Sequence, residues 1–382
     1  MELKTVGIVD YCRSPISRAK DGALNALTGL EIATQVVKNL LKRNPEIPVN
    51  DIECLTTGCA FPEGENGFNI ARAIVIKSGL PISVPAATVN HFCASSQSST
   101  MILADMIAAG KGDIGISVGL EHMTRVPMGG FNPYYDKELY QKGFYMSMGE
   151  TAENLAKELK ITREEQEEFS INSHKKALKA WKEGDFKDEV VPIELPDGGI
   201  FDKDENPREP DPEKIKNLNP AFDQDGTITP ATCSPVTTGA AALIVISAER
   251  AKESGIPLKA RIVTTAIAGC DYTRMGIGPL PATEKALKRA NLTMEDIDII
   301  ELNEAFAAQS LYVIKKGGWD INKINILGGA IALGHPLGMS GARIIGTAIT
   351  ALNKVNAKYG LATMCVGGGQ GASTILERET IK

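Results

Sequence analysis

The sequence lacks any run of 18 or more consecutive apolar residues, so we do not expect a membrane-spanning helix. Its first residues, MELKTVGIVDYC, have no apolar stretch followed by a small-residue cleavage site, so a secretory signal is not expected either. We therefore predict a cytoplasmic protein. The net charge is −6 at pH 7, and this lack of a basic excess argues against general nucleic-acid binding.

Paired cysteines are also missing. The seven cysteines are scattered, odd in number and without a CxxC pair. They predict neither a disulfide framework nor a zinc site, and we expect no metal. Most free cysteines in cytosolic proteins are small buried hydrophobic residues, so a reactive one must be recognised from its surroundings.

An alternating pattern of strands and helices is present instead. The 382 residues are 43% hydrophobic and 23% charged, as in globular proteins with two domains or one duplicated unit. The pattern predicts an α/β architecture. In the first part of the chain, the predicted strands are KTVGIVD, DIECLTTGC, AATVN and DIGISVG, and the predicted helices are LEIATQVVKNLLKRN, FNIARAIVIKSG and SSTMILADMIAAG.

The second half of the chain repeats the first. LKRNPEIPVNDI at 41–52 resembles LKRANLTMEDI at 287–297. The interval from Ile52 to Cys93 equals the interval from Ile297 to Gly338, and both intervals end at a helix start rich in small residues. Two similarities in the same register predict duplicated halves, 1–120 and 259–382, with equivalent helices side by side.

The segment 121–235 has a different character and predicts an inserted domain, after which 236–258 returns to the N-terminal half. Thr162 and Glu165 form a T-x-x-E capping box at a helix start. The stretch FDKDENPREPDPEKIK is dense in charge and proline, so we expect a solvated loop. His174 is expected to be an exposed helix residue, and His91 and His122 are expected near the site without a defined role.

Cys93, in NHFCASSQ, lies between a predicted strand and a predicted helix. A helix N-terminus stabilises a thiolate and lowers the pKa of the thiol, and its backbone N–H groups can bind an oxyanion. A structural, buried cysteine is an equally good interpretation from this motif alone.

Three further motifs offer partners for Cys93. His335 lies in GGAIALGHPLGMSGAR, just before the helix that is equivalent to the Cys93 helix, so the two side chains should meet as a nucleophile–base pair. Cys365 in CVGGGQGAS precedes three glycines without the Lys-Ser/Thr of a nucleotide-binding loop, and Gly367 could offer an N–H to an oxyanion. Asn303 in LNEAFAAQ could cap a helix or orient a water.

Together these four segments resemble the thiolase family, in its order and spacing, over essentially the whole chain. MGETAENLA and ITREEQEEF in the insertion are also similar to thiolase sequence. The resemblance implies duplicated βαβαβ halves in a five-layered αβαβα arrangement, with an inserted loop domain over the coenzyme A site. Family glycines or polar residues are replaced at several positions, among them Ser96, Ser147, Thr238 and Leu327.

The resemblance also implies roles. Cys93 would accept the acyl group of a 3-ketoacyl-CoA as a thioester, and His335 would activate it. His335 and a water held by Asn303 would form one oxyanion site, and the N–H groups of Cys93 and Gly367 the other. Cys365 would be the general acid and base. Retro-Claisen cleavage expels an enolate, so two oxyanion sites and a second proton carrier suit the chemistry.

No cofactor is implied, because coenzyme A and acyl-CoA are substrates. By the same matching, Arg208 would bind the nucleotide end of coenzyme A. The rest of the coenzyme A surface would comprise Met148, Leu218, Phe222, Ser234, Met275 and Phe306.

The substrate class has alternatives. The segment LEHMTRVPMGGFNPYYDKELYQKGFYMSMG resembles degradative thiolases of fatty-acid β-oxidation and is too short for a tetramer-forming loop. We therefore predict a 3-ketoacyl-CoA thiolase that forms a homodimer, with a tetramer and a β-oxidation partner subunit as further possibilities. The alternatives are an acetoacetyl-CoA thiolase condensing two acetyl-CoA, a ketosynthase-like enzyme, an acyl-CoA carrier and a cysteine hydrolase.

Overall fold

The N-terminal half alternates strands and helices as its sequence pattern predicts. The computed structural model describes residues 3–379. In this half the elements are β1 (Val6–Arg13), β2 (Ser17–Arg18), α1 (Gly29–Arg43), β3 (Cys54–Gly58), α2 (Ile70–Ser78), β4 (Ala86–Val89), α3 (Ser95–Ala108) and β5 (Ile114–His122). Helix α1 begins at a capping box formed by Thr28 and Glu31.

The regular structure of the inserted segment is mainly helical, and the chain then returns to the first sheet. Its elements are α4 (Lys137–Gln141), α5 (Met148–Leu159), α6 (Arg163–Glu183), β6 (Ile193–Glu194), β7 (Ile200–Phe201) and α7 (Pro212–Lys216), followed by β8 (Thr237–Ser247) and α8 (Ala248–Glu253). The predicted capping box of Thr162 and Glu165 starts α6. Strand β8 pairs with both β1 and β5.

The C-terminal half has the same succession of elements. They are β9 (Ala260–Gly269), α9 (Pro279–Ala290), β10 (Ile299–Leu302), α10 (Ala307–Gly317), α11 (Ala330–Leu333), α12 (Leu337–Val355), β11 (Tyr359–Val366) and β12 (Gln370–Arg378).

Strand order confirms the duplication. The N-terminal strands lie in the order β4-β3-β5-β8-β1 and the C-terminal ones in the order β10-β11-β12-β9. In both halves the inner pairs β3–β5 and β10–β11 are parallel, and β8 and β12 are antiparallel to their neighbours. The counterpart of β4 is reduced to one parallel bridge between Ile300 and Ile324. The two sets of strands join where β1 pairs briefly with β9.

Three hydrophobic cores fill the spaces between the five layers, and the central core lies on both sides of the middle helix layer. Side chains of α1 and α2, such as Ile32 and Ile74, pack on one face of the N-terminal sheet. Side chains of α9 and α10 pack on the outer face of the C-terminal sheet. Helices α3 and α12 lie between the sheets. They are side by side as predicted, and the Ala342 N–H donates to Ser96 Oγ at 2.8 Å.

The charged loop of the insertion is not solvated throughout, so that expectation was wrong. Asp204 and Asn206 are buried, and Asp204 accepts two hydrogen bonds from the Arg13 guanidinium at 2.8 and 3.0 Å. Glu189 accepts a third from Arg13 Nε at 2.8 Å. A buried arginine requires such paired acceptors, and this one fixes the inserted segment to β1.

His174 of α6 is also buried rather than exposed, which corrects the second expectation for this segment. Its Nδ1 accepts the N–H of Arg208 at 3.4 Å. Burial, followed by the positive charge of Arg208, lowers the pKa of His174 to about 4, so the ring is neutral near pH 7.

Candidate active site

Cys93 lies in a single 3-10 turn, Phe92–Ala94, directly before α3. Phe92 adopts a left-handed φ of +43°, a strained conformation for an aromatic residue that often marks a functional turn. The N–H groups of Gly367 and of Cys93 itself face the sulfur and favour the thiolate, but burial outweighs them and raises the pKa of Cys93 to about 12. The expected fall in pKa is therefore wrong, because desolvation penalises the thiolate more than the helix start stabilises it.

His335 is held between a constrained turn and the first turns of α12. Gly334 has a φ of +115°, and a Cβ there would lie 2.6 Å from the Ile16 side chain, so only glycine fits. The Ser340 hydroxyl donates to the Pro336 carbonyl at 2.8 Å. Its oxygen therefore accepts a hydrogen bond from His335 Nδ1, 2.6 Å away, and the lone pair is on Nε2.

Burial, with the nearby positive charge of Arg343, lowers the pKa of His335 to about 3. The imidazole is consequently neutral near pH 7, and its Nε2 carries no proton. Its Nε2 lies 3.3 Å from Asn303 Nδ2.

Asn303 follows β10 and is completely buried. The N-cap of α10 is Phe306, so the helix-capping alternative for Asn303 is wrong. Its own N–H donates to the Thr363 carbonyl at 3.0 Å, and its Oδ1 has no protein partner among residues 3–379. The side chain is thus fixed beside His335 with one acceptor still able to bind a water or substrate.

Cys365 lies at the end of β11, opposite Gly371 of β12. It is fully buried. Burial, then the neighbouring thiols of Cys93 and Cys270, raises its pKa well above the ordinary value. The tight connection from β11 to β12 places the Gly367 amide at the Cys93 sulfur. The two thiols and Gly367 thus lie together, Asn303 lies beside His335, and the Cys93 turn packs against α12, the helix that follows His335. Their roles stay predictions.

A small apolar cluster adjoins Cys365 and contains several of the predicted coenzyme A residues. Met275, Phe306 and Cys365 pack in it, with Met148 against its edge. Phe222 makes an edge-to-face contact with Phe306, with ring centroids 5.7 Å apart.

The other predicted coenzyme A residues are more scattered. Ser234 Oγ donates to the Ala305 carbonyl at 3.2 Å, beside Phe306. Leu218 offers its carbonyl to Arg163 Nη2 at 2.7 Å. Arg208 is exposed next to His174, and its Nη1 donates to the Asn206 carbonyl at 3.3 Å. No described contact joins Leu218 or Arg208 to the apolar cluster, and their assignment stays a prediction.

Sequence reasoning missed residues that orient the site without reacting. Ser340 fixes the His335 tautomer, and its only signal is its position five residues after the histidine. Glu121, at the end of β5, is a fully buried carboxylate.

His91 Nδ1 lies 2.7 Å from Ser98 Oγ, and its Nε2 lies 3.0 Å from Gln370 Oε1, so it bridges α3 and β12. His122 instead contacts the Leu27 carbonyl, 3.1 Å from its Nε2.

Over the described range 3–379, no group of three or more histidine, cysteine or acidic residues is arranged to hold a metal ion. In the same part of the chain, no helix has the length and apolar character needed to cross a membrane.

Comparisons with known proteins identify the family. The model of the thiolase N-terminal domain matches residues 6–249, and that of the thiolase C-terminal domain matches residues 256–378. The chain belongs to the thiolase family. It is an acyltransferase, as predicted, and the predicted thiolase fold is confirmed.

Relatives and solved structures match this thiolase over nearly its whole length. It is 46% identical to the 3-ketoacyl-CoA thiolase of Vibrio vulnificus strain CMCP6, over 98% of this chain and 100% of the relative. Human mitochondrial 3-ketoacyl-CoA thiolase in complex with CoA has a TM-score of 0.92 and 33% identity over 99% of both chains. Bacillus anthracis acetyl-CoA acetyltransferase has a TM-score of 0.92 and 36% identity, over 99% of this chain and 100% of that one.

Proposed function

We propose that this thiolase cleaves 3-ketoacyl-CoA with coenzyme A, giving acetyl-CoA and a shortened acyl-CoA through an acyl-Cys93 thioester. The observation that carries the reaction is whole-chain identity of 44–46% with curated proteins named 3-ketoacyl-CoA thiolase. The grouping of two thiols, a neutral imidazole and two inward-facing amides supports the mechanism.

In the first half-reaction, His335 Nε2 takes the Cys93 proton as the sulfur attacks the 3-keto carbon. Both groups begin neutral, since the pKa of Cys93 is raised to about 12 and that of His335 is lowered to about 3. The thiolate therefore forms only as the carbonyl is attacked. The bond between C2 and C3 then breaks, its electron pair goes to the enolate of acetyl-CoA, and Cys365 protonates C2.

In the second half-reaction, the Cys365 thiolate takes the proton of the incoming coenzyme A thiol. The coenzyme A sulfur attacks the Cys93 thioester, the bond from the acyl carbon to the Cys93 sulfur breaks, and His335 returns its proton to Cys93. Every proton released is taken up again, and no cofactor is required.

Two sites would stabilise the negative oxygens. The N–H groups of Cys93 and Gly367 face the sulfur, so they can also reach an oxygen on the carbon bonded to it. His335 and a water bound to Asn303 would stabilise the enolate oxygen. Protonated His335 suits this second role, because charge develops on the enolate after the proton transfer.

An acetoacetyl-CoA thiolase is the second candidate, favoured by the likeness to Bacillus anthracis acetyl-CoA acetyltransferase. A chain-length series of 3-ketoacyl-CoA substrates separates the two, with loss of the keto thioester as the measurement and Cys93→Ala as the blank. Cleavage that continues beyond the four-carbon substrate supports the first proposal. Activity with acetoacetyl-CoA alone supports the second, and no activity at any length contradicts both.

We further infer that the working unit is a homodimer in the cytoplasm. Strand β4 pairs in parallel with β3 and, within residues 3–379, has no strand on its other edge. Phe68 and Ile82 near it are highly exposed, as at strand edges that bind another chain. Light scattering on the purified protein tests this: a monomer mass contradicts it, and a tetramer mass favours the alternative. A β-oxidation partner subunit stays a prediction.

A further inference from the structure

Glu121 is a buried carboxylate that the proposed mechanism does not use. Its exposure is 0%. Its Oε2 accepts the N–H groups of Ala60 and Gly338, both at 2.8 Å. Its Oε1 accepts the N–H of Phe61 at 3.3 Å and the thiol of Cys59 at 3.6 Å. These donors favour the ionised carboxylate, but burial outweighs them and raises the pKa of Glu121 to about 7, so burying this group has a cost.

The donors belong to two segments that adjoin the reacting groups. Gly338 lies in the first turn of α12, three residues after His335. The ring centroids of Phe61 and Phe92 lie 6.2 Å apart, and Phe92 directly precedes Cys93. One carboxylate therefore holds both the base-bearing helix start and the loop beside the nucleophile.

The approach at Gly338 is close enough to exclude any side chain. A Cβ there would lie 2.3 Å from the Leu120 carbonyl oxygen, 2.7 Å from Cys59 Cα and 2.9 Å from Glu121 Oε2. The start of α12 is thus seated directly on the ends of β3 and β5, and a small displacement there would move His335.

We propose that Glu121 is a positioning residue that fixes the start of α12, and with it His335, relative to Cys93. The inference rests on the proposed function, in which His335 takes the Cys93 proton. Glu121 contributes through geometry, because proton transfer requires the two reacting groups to stay within hydrogen-bond distance of each other.

The charge of Glu121 cannot be what serves the reaction. Burial raises the pKa of Glu121 to about 7, so the group is only partly ionised near neutral pH, and its ionised form opposes the Cys93 thiolate and raises the pKa of that thiol further. Removing the charge alone should therefore do little harm, whereas removing the acceptor oxygens should do much. This difference separates Glu121→Gln from Glu121→Ala.

The test compares kcat and KM for thiolysis in these two variants. The Gln amide oxygen can take the place of Oε2 and accept from both Ala60 and Gly338, whereas its NH2 group replaces Oε1 and cannot accept from the Phe61 N–H. We expect kcat to fall about 100-fold in Glu121→Ala and about tenfold or less in Glu121→Gln, with KM for coenzyme A within about threefold of the parent in both. If the role of Glu121 were merely structural, the variants would have a lower melting temperature. They would not show a fall in kcat at constant KM that glutamine partly restores.

Two controls match the variants. Cys59→Ala removes only the thiol donor and should change kcat less than about twofold. Glu189→Gln removes a buried carboxylate that binds Arg13, and it should lower the melting temperature but leave kcat per folded molecule unchanged. If Glu121→Ala does not fold, Gly338→Ala disrupts the same contact from α12 and should lower kcat similarly.

Unchanged kcat in Glu121→Ala, or in Gly338→Ala, would overturn the positioning role. Equal losses in the Ala and Gln variants would also overturn it, because the charge rather than the geometry would then matter. Both results require an active parent enzyme. A parent without thiolysis would instead contradict the proposed function, so the two failures are distinguishable.

Discussion

Strands β5 and β8 of the N-terminal half are joined by residues 123–236, whereas their counterparts β11 and β12 are joined by residues 367–369. The two connections occupy the same topological position. The long one forms the inserted segment with the predicted coenzyme A residues Met148 and Phe222, and the short one places the Gly367 amide at the Cys93 sulfur. In the proposed mechanism, equivalent positions therefore serve different purposes, one as a coenzyme A surface and the other as an oxyanion donor.

The two central helices show the same division. Helix α3 follows the turn that contains Cys93, and α12 follows the turn that contains His335. The turn that contains Cys93 packs against α12, so the proposed nucleophile comes from one half and the proposed base from the other. The backbones of the two halves match, but neither half alone contains all the residues of the site.

Replacing His335 is expected to have the largest effect, since it removes the base that the C-terminal half supplies. His335→Ala should lower kcat for thiolysis by about 10²–10⁴-fold. The measurement is steady-state thiolysis with a medium-chain 3-ketoacyl-CoA, after circular dichroism has shown that the variant is folded. Lys354→Ala, an exposed change on the same helix, serves as the control. A His335→Ala variant within tenfold of the parent would contradict its assignment as base.

Replacing the second thiol should have a slightly smaller effect and should separate the two half-reactions. Cys365→Ala removes the proton carrier but leaves Cys93, His335 and Gly367 in place, so thiolysis should fall about 10²–10³-fold. Acyl transfer from an activated thioester to Cys93 should continue, because a good leaving group needs no proton. Mass spectrometry of the acylated protein measures this, with Cys93→Ala as the blank. Normal turnover in Cys365→Ala would exclude the proton-carrier role.

The protonation states of Cys93 and His335 in the resting enzyme can be tested by varying the pH. With the pKa of Cys93 raised to about 12 and that of His335 lowered to about 3, the thiol loses its proton only as pH rises toward the upper value. Alkylation of Cys93 by iodoacetamide should therefore rise about 100-fold from pH 6.5 to 8.5. Peptide mass spectrometry follows the modified cysteine. A rate that levels off below pH 8 would show a resting thiolate and contradict the neutral pair.

The duplication and the grouping of Cys93 with His335 were predictable because they depend on backbone periodicity and on motifs close to helix starts. The burial of Asp204 was not, because its partner Arg13 is remote in the chain and charge-rich loops are usually solvated. The high pKa of Cys93 was missed for a similar reason, since desolvation depends on packing from both halves. Glu121 carries no motif at all, because its donors come from two segments, 59–61 and the start of α12, that are remote from it in the chain.

The smallest predicted effect concerns the contact between the two central helices. The Ala342 N–H of α12 donates to Ser96 Oγ of α3 in a fully buried position. Ser96→Ala removes this hydrogen bond, which should cost about 1 kcal/mol in the free energy of unfolding. Because neither Ser96 nor Ala342 is one of the proposed reacting groups, kcat should change less than about threefold.

The matched control for Ser96→Ala is Ser99→Ala, since Ser99 bonds to Thr56 and Ser117 within the N-terminal half alone. Both variants should unfold at lower urea concentration, but only Ser96→Ala removes a bond between the halves. If unfolding of the halves is cooperative because they share the central layer, both variants should retain a single transition. Two transitions in Ser96→Ala, with one in Ser99→Ala, would show instead that this bond couples halves that are otherwise independent.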